Sequence, residues 1–351
     1  MSQNFINERP LEEREESVLG ALVYEFITTG KPVGSRSFVQ KYSFSISPAT
    51  MRNIMFDLEN MGFLMQPHTS AGRIPTDLGY RFYVNSLLDS YDFSSKDSIE
   101  VNEDALKNEL LLDKLFSSVV RMIAQVSRYA GVILTPRADF AVVKRIELIL
   151  LDNNEVLMIL VTRTGIVMTK KVSLSVNLTQ DEVYECSRYL SSELSGYSIH
   201  EIRETIMVKL HSEKSITRNK GIALDIAELA LTESREAELN VEGIENLLKI
   251  NEMVQDDRLN SLLNVIEEKN ILKNVMERML EKDGVRILIG KEINEGKVSG
   301  CSMVATAYKI GNKKVGSVGV LGPTRMDYEK VVPLVDYSGR IISDYLTKMS
   351  M

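Results

Sequence analysis

Residues 47–53 read SPATMRN, and their reading decides how the N-terminal third of the chain folds. Ser47 stands immediately before Pro48, the pairing of a helix N-cap with a proline at the first helical position, where the missing N–H costs nothing. A helix starts there. Met51, Ile54, Met55, Leu58 and Met61 follow at three- and four-residue spacing along one face, and Gly62 is the expected stop. Thr50, Arg52 and Asn53 then project from the first two turns, away from Ile54 and Leu58. Arginine pairs bidentately with guanine and asparagine with adenine, while Ser and Thr hydroxyls and a helix N-terminus suit phosphate. Taken alone, the segment favours the plainer reading of a capped surface helix of any small helical domain.

The flanking sequence gives this helix a setting. Upstream, Val18, Leu19, Leu22, Val23, Phe26 and Ile27 mark an amphipathic helix from Leu11 to Thr28, stopped by Gly30 and Pro32. A short helix from Ser35 to Tyr42 follows, with Ser35 as its N-cap, Phe38 and Val39 inward and Arg36, Gln40 and Lys41 outward. Ser43 to Ile46 is a turn. Downstream, Phe63 to Gln66 is extended, Pro67 to Arg73 is a turn-rich loop, Ile74 pairs back, and Thr76 caps another helix. Helix, helix, turn, helix and hairpin is the winged helix-turn-helix order, in which the third helix enters a major groove and the hairpin lies along the backbone. The loop PHTSAGR supplies His68, Thr69, Ser70, a glycine that permits close approach and the permanent charge of Arg73. Its plainer reading is a hairpin turn with His68 as an exposed passenger.

Charge separates the two readings. The chain has 351 residues, enough for two or three domains of about 150 each, and its 42 Lys and Arg against 49 Asp and Glu leave it at −7. Wholesale polyanion binding is disfavoured by that balance. Residues 31–83 nonetheless hold six cations, Lys31, Arg36, Lys41, Arg52, Arg73 and Arg81, against Asp57, Glu59 and Asp77. This +3 segment on a body of −10 confines attraction for a polyanion to one place.

Beyond it, "DSYDFSSKDS" reads as a linker, with the first boundary between Asp89 and Asp104. Ala105 to Ala130 is helical and Gly131 to Leu134 a short buried strand. Arg145–Leu151, Val156–Arg163 and Gly165–Leu174 make an antiparallel meander. Helical patterns run from Thr179 to about Lys282, broken near Gly196, Asn219 to Gly221, Asn240 and Gly243. Strands return at Val285–Ile289, Ser302–Ile310 and Lys314–Leu321, before a final helix from about Tyr328 to Lys348. Strands on both sides of the intervening material leave open whether one domain interrupts another.

Enzymatic motifs are weak. "GVRILIGKE", Gly284 to Glu292, alternates as a strand and has no Ser or Thr after Lys291, so it is not a P-loop. "GSVGVLG", Gly316 to Gly322, lies within a β-run, where its glycines serve close strand packing. Cys186, Cys301, His68, His200 and His211 are too sparse for a zinc site or a nucleophile triad, and two distant cysteines form no disulfide framework. Met276 and Met279 sit at core spacing. Met1 to Glu16 is polar and acid-rich where a signal peptide needs an apolar stretch, and the apolar runs fall far below about 18 residues. A cytoplasmic protein without cofactor or metal is expected.

"GKPVGSRSF" (Gly30 to Phe38), "SPATMRNIMFDLENMGFL" (Ser47 to Leu64), "QPHTSAGRIPTDLGYRFYV" (Gln66 to Val84) and "GPTRMDYEKV" (Gly322 to Val331) resemble the HrcA family of heat-inducible transcription repressors. The resemblance covers essentially the whole chain. It implies an α+β protein of three parts: a winged helix-turn-helix domain over residues 1–90, a GAF-like α/β domain over 105–139 and 250–351, and an inserted α+β dimerisation domain over 140–249. Residues 91–104 are then the linker. It also implies a homodimer on an inverted-repeat operator of double-stranded DNA upstream of chaperone operons, kept active by the GroEL chaperonin. Thr50, Arg52 and Asn53 are expected to read bases; Lys31, Ser35, Arg36, Ser47, His68, Thr69, Ser70 and Arg73 are expected to position the DNA backbone. The rival expectation is a regulator whose GAF-like part senses a small molecule.

Overall fold

The computed structural model describes residues 9–69, 71–91, 112–137, 139, 141–152, 154–163, 165, 167–212, 217–231, 237–250, 269–293 and 300–350. The expected linker, beyond Tyr91, lies outside them, as does the first part of the helix expected from Ala105. Helices α1 (Glu13–Thr29), α2 (Ser35–Tyr42) and α3 (Pro48–Asn60) precede strands β1 (Leu64–Met65) and β2 (Ile74–Pro75) and helix α4 (Asp77–Ser90). Gly30, at φ 67°, closes α1 by donating its N–H to the Phe26 carbonyl. Val18, Leu19, Leu22, Val23, Phe38, Met51, Met55, Leu58, Tyr80 and Val84 form the buried core of this part.

Helix α5 (Leu112–Ser127) leads into β3 (Ala130–Leu134). Strands β4 (Val143–Asp152), β5 (Glu155–Thr162) and β6 (Val167–Ser173) form the expected antiparallel meander in that order. Helix α6 (Gln180–Leu194) covers one face of it. Next come α7 (Ile199–Glu201), a π-helical turn (Ile202–Ile206), α8 (Met207–His211) and α9 (Arg218–Leu231). The sheet and helices of this unit share one core, from Val143 to Leu231. Hydroxyls on one face of α6 and at its C-cap hold the edge strand: Ser191 Oγ accepts from the Ile146 N–H (3.4 Å), Ser187 Oγ accepts from the Leu148 N–H (3.2 Å), and the C-cap Ser195 Oγ donates to the Lys144 carbonyl (3.0 Å). Backbone groups that an edge strand would present to another chain are thereby engaged.

Strand β7 (Leu239–Glu242) follows, then α10 (Ile244–Leu248), α11 (Lys269–Arg278), β8 (Arg286–Ile289), β9 (Cys301–Ile310), β10 (Lys313–Pro323) and α12 (Tyr328–Ser350). The five-stranded sheet has the order β7-β3-β10-β9-β8, so strands separated by the whole meander unit lie side by side. The chain thus leaves the five-stranded sheet after β3 and returns to it at β7. Two expectations need correction. The helical run to Lys282, with its breaks near Asn240 and Gly243, is assigned to the insert as far as 249; Ile244–Leu248 is helical, but Val132↔Val241 and its neighbours make Leu239–Glu242 a strand, β7, of the five-stranded sheet, and Leu247 joins that sheet's core. The insert is therefore shorter than 140–249 and ends near Leu231. All four ladders of the sheet are antiparallel, which replaces the expected α/β character of this domain with α+β.

Alternate residues point to opposite sides. Ile133, Val304, Val318 and Val320 face α5 and α12, while Val132, Leu134, Met303 and Ala305 face α10 and α11, with Met276 and Met279 in that second core. The N-terminal part is docked on this sheet. Arg81 donates to the Ile287 carbonyl (2.8 Å) and pairs with Glu292, Tyr83 donates to Glu329 (2.9 Å), and Arg325 donates to the Ile27 carbonyl (2.7 Å) at the C-terminus of α1. The Tyr83 hydroxyl is pushed up by burial and by that carboxylate.

The glycines of the GSVGVLG run do serve strand packing. A Cβ at Gly319 would lie 2.4 Å from the Val304 carbonyl and 2.6 Å from Ala305 Cβ, in the middle of the sheet. Gly319→Ala is expected to destabilise the chain by about 1–3 kcal/mol or more, read as a lowered denaturant midpoint; an unchanged midpoint would contradict this packing.

Candidate nucleic-acid interface

Ser47 caps α3 as expected: its Oγ accepts the Thr50 N–H at 3.1 Å and lies 2.9 Å from the Thr50 hydroxyl. Capping fixes the helix start, and Pro48 sets its first turn. Thr50, Arg52 and Asn53 are exposed on the side opposite Met51, Met55 and Leu58, which are buried. At α2 the cap is Gly34, in extended backbone and with no side-chain cap bond; Ser35 is the first helical residue rather than the N-cap. The strand pairing ends at Val33, so Gly34 is the single residue between it and the helix.

That pairing organises the whole face. Val33 and Arg73 exchange two backbone hydrogen bonds, each 2.9 Å, adding a third short strand segment beside β2. β2 in turn pairs with β1, Leu64 opposite Pro75 and Met65 opposite Ile74. The close approach requires Gly72, since a Cβ there would meet the Val33 carbonyl oxygen at 2.3 Å. The loop between the strands is shaped by Gln66, whose amide donates to the carbonyls of Thr69 (3.0 Å) and Ala71 (2.9 Å). Thr76 accepts the Gly79 N–H to cap α4 and donates to the Gly62 carbonyl at 2.6 Å, fixing the far end of the ribbon.

Between α2, α3 and this loop lies a cleft of about 370 Å³ lined by Ser35, Arg52, Gln66, Thr69, Gly72 and Arg73 among others. Expected residues from three separate stretches thus converge on one recess. Lys31, in the α1–α2 turn, and Arg36, on α2, are exposed, as is His68 at the loop tip, away from the cleft lining. Ser70 lies outside the described residues.

Arg73 differs from the expectation. Its guanidinium pairs with Glu59 of α3 at 2.7 Å and its side chain is only 18% exposed, so it ties the loop to α3 instead of standing free for phosphate. Lys41 is likewise engaged, pairing with Glu25 of α1 at 2.6 Å while the Tyr42 hydroxyl donates to the same carboxylate at 2.8 Å. Burial acts to raise the Glu25 carboxyl, but these two donors outweigh it and hold it low; Tyr42 is pushed up by burial and by Glu25. Arg81 faces the five-stranded sheet. Among the described residues, Lys31, Arg36 and Arg52 are the cations of segment 31–83 with no ion pair, and all three are exposed. Sequence reasoning missed Gln66 and Glu59, whose partners are set by the loop conformation, and it missed Phe56, 54% exposed on α3.

Elsewhere, Cys186 and Cys301 are buried, and burial with the Glu182 and Glu185 carboxylates pushes the Cys186 thiol up to about 11. Among the described residues no group of three or more His, Cys, Asp or Glu is placed to hold a metal ion, and no helix is long and apolar enough to cross a membrane.

A family model described as HrcA protein C terminal domain matches residues 113–332. The heat-inducible transcription repressor HrcA of Leptospira biflexa is 35% identical over 342 residues, 97% of this chain and 99% of its own length. That of Geobacter sulfurreducens is 34% identical over 337 residues, 96% of this chain and 98% of its own. A solved structure of a protein described only as hypothetical superposes with a TM-score of 0.64 at 25% identity, over 97% of this chain and 100% of that one. These similarities place the chain in the class of transcription repressors. It belongs to the HrcA family.

Gly72→Ala is expected to break the Val33–Arg73 pairing, because the methyl cannot share space with the Val33 carbonyl. Amide exchange at Val33 and Arg73 should accelerate by one to two orders of magnitude, about 1–3 kcal/mol of local stability. Exchange at the parent rate would show that the pairing does not hold the loop.

Proposed function

We propose that the N-terminal part is a winged helix-turn-helix that reads duplex DNA through α3, and that the chain is a homodimeric repressor of chaperone operons acting at an inverted-repeat operator. The observation that carries this is the convergence of Ser35, Arg52 and Thr69 on one cleft beside the exposed Thr50 and Asn53, with three unpaired cations on the same N-terminal part. Thr50, Arg52 and Asn53 read bases. Lys31, Ser35, Arg36, Thr69, Ser70 and His68 meet the phosphate backbone, Ser47 sets the helix that presents them, and Arg73 acts through Glu59 by holding the loop in place. The remaining part corresponds to a GAF-like domain with its inserted dimerising unit, and the body's negative charge keeps polyanion contact to the basic end. Activity maintained by the GroEL chaperonin follows from the family resemblance. Repression then needs occlusion of the promoter and no catalysis.

The dimer is supported by the outer face of the meander. Ile149, Leu157, Ile159, Val161 and Val167 share the face turned away from α6 and α9; Ile149 stands opposite Leu157, and Val161 opposite Val167. Ile149 and Val167 are exposed, and none of the five belongs to the core beneath. This apolar stripe, bordered on the same face by the Arg145–Glu147 and Lys171–Glu155 ion pairs, is the surface a second copy would cover, placing two α3 helices at half-sites about 34–36 Å apart or a multiple of that.

A footprint on the promoter of a chaperonin operon, with and without added chaperonin, tests the function; protection of an inverted repeat is expected, and none at any protein concentration overturns it. Arg52→Ala should cost about 1–3 kcal/mol of binding and relax preference at one base pair, whereas Arg36→Ala should weaken all sequences alike and lower the salt slope by about one. Identical behaviour of the two variants would contradict the assigned roles. Ile159→Asp is expected to shift sedimentation from dimer to monomer while leaving the thermal midpoint of the monomer fold nearly unchanged; a persistent dimer would move the interface elsewhere.

A further inference from the structure

Helix α3 carries an aromatic ring that the protein itself does not use. Phe56 is 54% exposed, whereas Phe26, Phe38, Phe44, Phe63, Phe82 and Phe116 are all buried or half-buried. It joins neither the core of the N-terminal part nor the half-buried side chains packed against that core. A phenylalanine hides about 150–250 Å² when it finds a partner, so this surface is left for something outside the fold. Its neighbours say what. At helical spacing, Ala49, Arg52 and Asn53 precede it by seven, four and three residues, and all are exposed, so the four side chains form one stripe. The opposite face, Met51, Met55 and Leu58, is fully engaged in the core.

We propose that Phe56 is a specificity-determining residue of α3, its ring resting on the C5-methyl group of a thymine in the major groove. The inference rests on the reading of α3 as the helix that enters that groove. The thymine methyl is the apolar feature by which the major groove distinguishes base pairs, while the other base-edge features there are donors and acceptors. Arg52 and Asn53 supply hydrogen bonds, and a ring between them and the C-terminal half of the helix supplies none. It therefore favours a methyl and leaves the amino group of a cytosine at the same place without a partner.

The experiment uses the full-length chain and duplex fragments of the footprinted promoter in which single thymines of one half-site are replaced by deoxyuridine, which deletes only the methyl. At one or two positions the parent protein is expected to lose about fourfold in affinity, the worth of one buried methyl. Phe56→Ala should bind methylated and unmethylated fragments equally, and Phe56→Leu should keep part of the difference. Because Phe56 is outside the core, both variants should keep the parent's thermal midpoint. The proposal fails if no thymine methyl matters to the parent, or if Phe56→Ala shows the parent's dependence on it. A parent that protects no promoter DNA would overturn the repressor reading as well; protection with unaltered methyl dependence would overturn this inference alone.

Discussion

Two backbone hydrogen bonds between Val33 and Arg73 hold together the part of the molecule that faces outward. They fix the spacing between α2 and the hairpin loop on two sides of a cleft whose remaining lining, Arg52 and Met55, comes from α3. Backbone pairing is suited to this task because its geometry is set by peptide dimensions and not by rotamers. It also explains the composition of the loop, since glycine at position 72 is demanded by a carbonyl 2.3 Å from where a side chain would begin. The Arg73–Glu59 pair and the Gln66 amide then brace the loop against α3 and against itself. Charge that composition offers to a ligand is spent within the fold, and the outward field comes from Lys31, Arg36 and Arg52.

The helical framework of the N-terminal part was legible because its signals are local. A serine before a proline, an apolar stripe and a glycine stop act within one helix, and α3 runs from Pro48 to Asn60 as those signals require. The direction of Arg73 was not legible: its partner lies fourteen residues away, on another element, and proximity arises only once β1 and β2 pair. Phe56 had a signal that went unread, since it falls off the stripe formed by Met51, Met55 and Leu58. Strand β7 shows in the sequence only as a break in the helical run near Asn240 and Gly243, because Leu239–Glu242 is short, half-buried throughout and flanked by charged sequence, and its β conformation is imposed by β3. Tertiary pairing overrides weak local preference in such segments.

The domain boundary follows the same logic. Hydrophobic periodicity recognises elements but carries no record of which elements share a sheet, so the end of the insert could be placed only by strand pairing. The wholly antiparallel five-stranded sheet joins stretches from both sides of the meander unit: β3 is held between β10 and β7.

That arrangement makes the insert topologically a hairpin turn. Thr135 and Glu238 are bonded to each other at 2.9 Å through both backbone and side chain, so the chain leaves β3 and returns into β7 through a neck two strands wide. Material hung on such a neck can grow, shrink or be exchanged as surface loops are, without asking the sheet to change. Lineages of this architecture are therefore free to remodel the inserted unit separately from the helices of the N-terminal part.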